Sequence, residues 1–465
     1  LSFPPHLVRE YIEKFGICKG DVVLDPFCGT GTTNVECKVD WKTVLVFVSI
    51  AFSSQCGGGF ASGSTPWTYF FRNTGFYGML PVVAQPYFCL FMPFIVAAIN
   101  CFIIYFFMKF AMDFRTFDYA ISKQLMASFL RRYGSRFCNG IFARPMQYIY
   151  EFNFNWLLIV CMALAYSTSG SALKELTGIP YLYSTLIIGV LMFVLCMKGT
   201  DLVRKNAVFM SAVIFIALMS VHVPNILYNV TSGRLSSELG IMSQQLHNDI
   251  AAGAGSFLKY LLVAFCWAYI FSGQNLAGFG AYVNHAQLFT NKKTLRWAVV
   301  LSVIANWAFL EMNVINLAAN YSAVYEGWSN GRAVYTILVV QNGVGSGAIK
   351  TILLTLITVA IFFATISTAI NYAQGFNDRI LNWYQKRKQE APEVSAAKRN
   401  KRGAVLTLVY IVFTWAVSQM GLTALVSKGL TFASIITLFT LIIPTIINVI
   451  RKWPDADYAH MTKEK

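Results

Sequence analysis

The sequence predicts an all-α polytopic membrane protein of about ten transmembrane helices, preceded by a short α/β segment. Three observations carry that prediction. Of the 465 residues, 56% are hydrophobic and 12% charged, with a mean hydropathy of +0.54. A soluble domain carries about 25% charged residues. Ten stretches are apolar over the roughly 20 residues that a helix rising about 1.5 Å per residue needs to cross about 30 Å of hydrocarbon. Basic residues collect in alternate connections, as they do in cytoplasmic loops. The net charge of +16 is therefore read as loop charge on one side of a lipid bilayer, and no nucleic-acid partner is expected.

Residues 1–38 come first and differ from the rest. Val22-Val23-Leu24 reads as a buried strand that Asp25 ends. Pro26-Phe27-Cys28-Gly29-Thr30-Gly31-Thr32-Thr33 then reads as a glycine turn whose backbone approaches a cofactor at a helix start. With Ser2-Phe3-Pro4-Pro5-His6-Leu7, this segment resembles the S-adenosylmethionine motif of DNA amino-methyltransferases of the N4-cytosine and N6-adenine type. The resemblance assigns Asp25, Pro26, Phe27, Gly29, Gly31, Thr32 and Thr33 to a vestigial cofactor motif. The catalytic Asp/Ser-Pro-Pro-Tyr/Trp motif of those enzymes is absent from the sequence. A parallel sheet needs further strands and covering helices, and below about 40 residues a chain rarely folds alone. Residues 1–38 are therefore read as a truncated, inactive fragment, a gene-junction remnant or a mis-joined frame. The chain begins at Leu1, which marks a fragment or a processed form, and carries no cleavable signal peptide.

The apolar stretches lie near 43–71, 79–108, 146–169, 180–197, 206–225, 256–284, 295–319, 347–377, 404–426 and 429–450. With a cytoplasmic N-terminus, ten spans return the C-terminus to the same side. The cytoplasmic segments then hold 30 of the 37 Lys and Arg residues, the asymmetry expected of a multi-pass protein of the cell membrane. Ten cysteines are scattered without metal-ligand spacing and read as free thiols.

Two spans look broken. The first contains Ser53-Ser54-Gln55-Cys56-Gly57-Gly58-Gly59-Phe60-Ala61-Ser62-Gly63, and the sixth contains Phe271-Ser272-Gly273-Gln274-Asn275-Leu276-Ala277-Gly278-Phe279-Gly280. Glycine runs form poor helix, although small residues also permit close helix packing. Gly57 and Gly273 are 216 positions apart, about half of the 39–465 region. Five spans per half puts the halves in opposite orientation, as an inverted repeat requires. The halves would run over about 41–225 and 250–450.

These features resemble the leucine-transporter-type (LeuT) five-plus-five fold of the amino acid–polyamine–organocation (APC) superfamily, with Gly57 to Gly63 most similar to the YkvI-like membrane proteins. The resemblance implies that discontinuous helices 1 and 6 enclose a substrate through Gly57, Gly58, Gly59, Ser272, Gly273, Gln274 and Asn275, with aromatic contacts from Tyr166 and Phe271. It implies alternating access by rocking of the first, second, sixth and seventh spans. In the sodium-coupled members, an Ala carbonyl and two hydroxyls of the eighth span bind Na+ with first-span carbonyls. Ala364, Ser367 and Thr368 match that spacing, and by that register Ser53 and Cys56 supply the carbonyls. Oxygen ligands suit a small hard cation; the alternative is hydroxyls bonded back to their own helix.

Glu311 sits inside the seventh span, where a charge costs at least about 2.5–3.5 kcal/mol. It is read either as a proton-coupling site or as a structural group bonded to another span. The expected function is a cation-coupled (Na+, or H+) secondary transporter of a small solute, an amino acid or similar zwitterion, with no organic cofactor. The rivals are a DNA methyltransferase piece on a membrane anchor and a non-transporting membrane sensor.

Overall fold

The computed structural model of the chain describes residues 10, 13–14, 16, 39–55, 57–73, 81–114, 136–198, 207–254, 256–278, 283–289, 291–388 and 392–450. Among these, eight helices are long and apolar enough to cross a membrane: Phe88–Met112, Tyr148–Thr177, Ala212–Thr231, Phe257–Ala277, Lys292–Ala318, Ala348–Leu381, Lys401–Ser418 and Leu422–Ile447. Two shorter apolar helices, Trp41–Phe52 and Tyr181–Cys196, fall on the first and fourth predicted spans. Every predicted stretch thus coincides with a helix, and the described chain is an all-α polytopic architecture.

In chain order the spans are α1 (Trp41–Gln55), continued by the short α2 (Gly58–Ala61) and α3 (Ser64–Phe70), then α4 (Phe88–Phe114), α5 (Arg136–Thr177), α6 (Tyr181–Lys198) and α7 (Ala207–Thr231). A connecting helix α8 (Arg234–Asp249) leads to α9 (Phe257–Ala277) and α10 (Lys292–Ala318). Two further connecting helices, α11 (Tyr321–Ser329) and α12 (Tyr335–Asn342), precede α13 (Ala348–Lys388) and α14 (Pro392–Ser418). The last span runs from Leu422 to Ile450, with two π-helical stretches and α-helical pieces that include Thr431–Thr437.

Local chemistry fixes several boundaries. Asp40 starts α1: its carboxylate accepts from the N–H of Lys42 and Thr43 and from the Thr43 hydroxyl, satisfying donors that a helix start leaves open. Asn291 caps α10 through the Thr294 N–H at 2.7 Å. The two starts are tied together, since the Asp40 N–H donates to the Thr294 hydroxyl. The second span begins at Phe88 rather than near 79. Residues before it form a short bridge, Arg72 with Val83 and Asn73 with Val82, and a Pro86-Tyr87 turn with Tyr87 at φ 64. The ninth span stops at Ser418, short of the expected 426, because Gly421 turns the chain at φ 86.

The spans pack in two groups. The seventh (α10) packs on the first and second (α1, α4) and the second also packs on the sixth (α9), while the third, fourth, eighth and ninth (α5, α6, α13, α14) form a second set. The fifth span lies on α13, and the tenth lies between α9 and α5. Polar bonds cross these seams, where the alternative is an unsatisfied group in hydrocarbon. Asn153 Nδ2 donates to Ala433 O and to Thr437 Oγ1, Trp156 Nε1 to Gly429 O, and Tyr410 Oη to Leu158 O.

On one end of the bundle the connecting helices form a cap. Glu238 of α8 accepts from the Ser322 N–H and hydroxyl. Arg332 pairs with Glu175 at 3.0 Å and Arg72 with Asp249 at 2.8 Å. Burial works against the Arg72 charge, but the Asp249 hydrogen bond and carboxylate outweigh it and hold the guanidinium above its ordinary pKa. Glu175 stands in the last turn of α5, and the other residues belong to the connections between spans.

Candidate functional site

The first span is interrupted at mid-bundle. The chain leaves α1 after Gln55, is extended at Gly57 (φ −69, ψ 174), makes one turn through α2, and reverses at Gly63 with φ 75. Only glycine takes that last conformation without strain. Gly58 is required for another reason: a Cβ there would run into the Thr365 methyl and would lie 3.2 Å from Thr168. The first span is thus pressed against the third and eighth.

Carbonyls freed by such a break must find donors. Here each of them from Gly57 to Gly63 has one. Gly57 O accepts from the Phe60 and Ala61 N–H groups, Gly58 O from Ser62 N–H, Gly59 O from the Ser62 hydroxyl, and Gly63 O from Trp67 N–H. The rest are met from elsewhere in the fold. Asn313 Nδ2 of the seventh span donates to Phe60 O at 3.0 Å, alongside the Gly63 N–H. Thr336 of the cap helix α12 donates its hydroxyl to Ala61 O and its N–H to Ser62 O, both at 3.0 Å.

Beside the break lies a cavity with about 480 Å³ of unfilled space, its mouth included. It is lined by Gly57, Gly58, Gly59, Phe60 and Thr65 of the first span, and by Phe271, Gln274 and Asn275 of α9. Cys161 and Leu164 of α5, Thr368 and Tyr372 of α13, and Leu430 of the last span complete it. No charged side chain lines it. Toward the cap it is closed by buried aromatics: Trp67 stacks on Phe71 and contacts Tyr321 and Tyr335, while Tyr69 meets Trp267 and Phe271 edge-on. Apolar walls with a few polar groups are the lining of a small-molecule site.

The sequence-expected residues divide. Gly57, Gly58, Gly59, Phe271, Gln274, Asn275 and Thr368 meet in this cavity. Tyr166 is buried on the other side of α5, packed with Met162, Ile188, Met192 and Tyr410; the cavity-facing residues of that helix are Cys161 and Leu164. Ser272 turns toward the second span and donates to Asn100 Oδ1. Gly273 does not break its helix. A Cβ there would lie 3.1 Å from Ser434 O, so this glycine lets α9 approach the last span closely. The interruption expected around Gly273 begins five residues later, at Gly278, where α9 ends, and a 3-10 turn over Val283–Leu288 follows. One glycine with helical neighbours costs only about 1 kcal/mol, which packing readily offsets.

At the expected cation position, the Thr368 hydroxyl donates to Ala364 O at 2.8 Å. That is the back-bonded arrangement, and it leaves the hydroxyl's lone pairs free. A Cβ added to Gly57 would lie 3.6 Å from the Thr368 hydroxyl oxygen. Thr365, absent from the sequence expectation, is the eighth-span residue against Gly58; its hydroxyl accepts from Ser169 at 2.7 Å and donates to Phe362 O. The Thr168 hydroxyl beside it is buried without a partner. Ser367 is buried. Ser53 lies in the last turn of α1, while Cys56 falls outside the described residues. Glu311 is half-buried near Trp307 and Cys89, on the second-span side and away from the cavity. Asp25, Pro26, Phe27, Gly29, Gly31, Thr32 and Thr33 lie outside the described residues. Among the described residues no cluster of His, Cys, Asp and Glu is arranged to hold a metal.

Phe60, Thr65, Asn313, Thr336 and Tyr372 were missed from sequence. Asn313 carried a signal, an amide inside an apolar span two residues from Glu311; Thr336 carried none, because only folding brings α12 over the break.

Residues 1–40 match the DNA methylase family. Over 38 residues the chain is 51% identical to the Type II methyltransferase M.BsoBI of Geobacillus stearothermophilus, a match covering 8% of each chain. The expected methyltransferase-like fragment at the N-terminus is therefore present, and the chain spans under a tenth of the length of that relative.

Proposed function

We propose that the chain is a cation-coupled secondary transporter of a small zwitterion such as an amino acid, with residues 39–465 forming a LeuT-type fold of the APC superfamily, nearest the YkvI-like proteins. The observation that carries this reading is the uncharged cavity between the interrupted first span and α9. Half-helix ends and an unpaired Gln274 Oε1 offer polar groups there without a fixed charge, which suits a solute that carries its own balanced pair. The packing supports an inverted repeat. Advancing every span number by five turns the first–seventh contact into the sixth–second and the third–fourth into the eighth–ninth, and both members of each pair are in contact. The two packing groups are the parts that would rock for alternating access. Na+ is the favoured coupling ion, held by Ala364, Ser367 and Thr368 with carbonyls at Ser53 and Cys56; H+ through Glu311 is the alternative. With both termini cytoplasmic in the cell membrane, the cap faces outward and the cavity is closed on that side.

The test is uptake of labelled amino acids by proteoliposomes of the full chain under an inward sodium gradient. Accumulation that collapses with the gradient is expected. A ligand that raises thermal stability by RT ln(1+[L]/Kd) without any uptake would instead favour a sensor.

The match of residues 1–40 favours a second reading, methyl transfer to DNA. The missing Pro-Pro motif and the small share of a methyltransferase present weigh against it, and no activity is expected. Transfer of labelled methyl from S-adenosylmethionine to DNA by the purified chain would establish it.

A further inference from the structure

A second, narrow cavity lies between the second, sixth and seventh spans, with about 380 Å³ of unfilled space when its open mouth is included. Pro93 lines it; a proline inside α4 removes one ladder hydrogen bond and pushes the neighbouring turn aside. Its inner wall is Phe60, Phe271 and Asn275, which also bound the central cavity. Its outer wall includes Trp307, whose ring meets Phe94 edge-on at 6.4 Å. Phe94 is 62% exposed on the apolar surface of α4, so this ring pair stands between the cavity and the bilayer.

The lining selects its occupant. Val96, Ala97, Val303 and Leu310 give apolar walls, and the lining residues carry no ionisable side chain; the nearest, Glu311, lies beside Trp307, so an anionic molecule would lose its hydration for nothing in return. Three amides break the apolar surface: Asn100, Asn275 and Asn306. Asn100 Oδ1 is taken by the Ser272 hydroxyl, and Asn306 Nδ2 donates to Ser302 O. Asn306 Oδ1 is buried and has no partner, so it lacks a donor.

We propose that this cavity is a binding site for a neutral long-chain alcohol, a lipid whose hydroxyl donates to Asn306 Oδ1 and whose chain enters between Phe94 and Trp307. Its occupant bears on the wall shared with the central cavity. The site stands or falls independently of transport.

The experiment is photolabelling of the full chain in lipid nanodiscs with a long-chain alcohol carrying a diazirine, read by peptide mass spectrometry. Saturable adducts are expected within 91–100 and 303–310. Excess plain alcohol should compete them away; the fatty acid of equal length should not. Asn306→Leu should weaken labelling about five-fold, the loss of one hydrogen bond, and Ala97→Phe should abolish it. The Asn306 variant keeps the test decisive if the larger side chain prevents folding. Labelling that rises linearly with probe and spreads over all lipid-facing helices, or equal competition by alcohol and acid, overturns the proposal.

Discussion

The first and sixth spans carry the same sequence signal and fold differently. Both place glycines and amides inside an apolar stretch. In the first, the helix ends at Gln55 and resumes only after Gly57. In the sixth, the helix passes straight through Gly273 and ends at Ala277. The difference is in the partners. The first break has Asn313 and Thr336 from distant segments to receive its carbonyls, whereas Gly273 has a packed neighbour, Ser434, that favours a continuous close-packed helix. A glycine run permits an interruption; donors elsewhere decide whether one forms.

The largest expected effect tests the first region. Gly58→Val forces branched carbons against Thr365 and Thr168, and overpacking of this kind costs about 1–3 kcal/mol or more. A clear fall in the thermal unfolding midpoint and loss of ligand stabilisation are expected, and an unchanged midpoint would mean that the first span does not need its close approach to Thr365 and Thr168. Next come the donors. Thr336→Val leaves the buried Ala61 carbonyl unmet, at about 1–3 kcal/mol, and Asn313→Leu leaves Phe60 O with the Gly63 N–H alone, at about 1 kcal/mol. Denaturant unfolding of each variant measures this; the two losses should fall short of additive, since both donors hold one turn.

A smaller effect is expected in the sixth span. Gly273→Ala gains up to about 1 kcal/mol of helix propensity and loses part of it to the Ser434 contact, so stability should stay within about 1 kcal/mol of the parent. Destabilisation as severe as that of the Gly58 variant would mean that the two regions are alike after all. Smallest is the cap at Asp40. The Thr43 hydroxyl and N–H hold its carboxyl below the ordinary pKa. A carboxyl lowered on folding contributes stability that is complete above its unfolded pKa, about 3.9, and is lost as pH falls through the folded value. Asp40 is exposed, so Asp40→Asn should cost only a few tenths of a kcal/mol above pH 5, with the difference vanishing in acid melts.

Much of the fold was legible because hydrocarbon is an unforgiving solvent. A stretch such as residues 351–370, with no charged or amide side chain over 20 positions, has no other stable place, and only a helix satisfies its backbone there. Half of the candidate site was legible for the same reason, since Gly57 to Gly59 and Gln274-Asn275 are conspicuous in such a setting. Tyr166 was misplaced because an aromatic in a buried helix can face any of its neighbours, and α5 is surrounded on nearly every side.

Where the apolar helices run, where the chain could break and where a methyltransferase-like segment sits at its start were readable from the residues alone, because composition and short motifs act locally. Which permitted break formed, which face of each helix reached the cavity and that two cavities share the wall of Phe60, Phe271 and Asn275 were decided by tertiary structure. Those outcomes depend on donors and packed surfaces supplied by residues hundreds of positions away, and only the assembled bundle brings them within bonding distance.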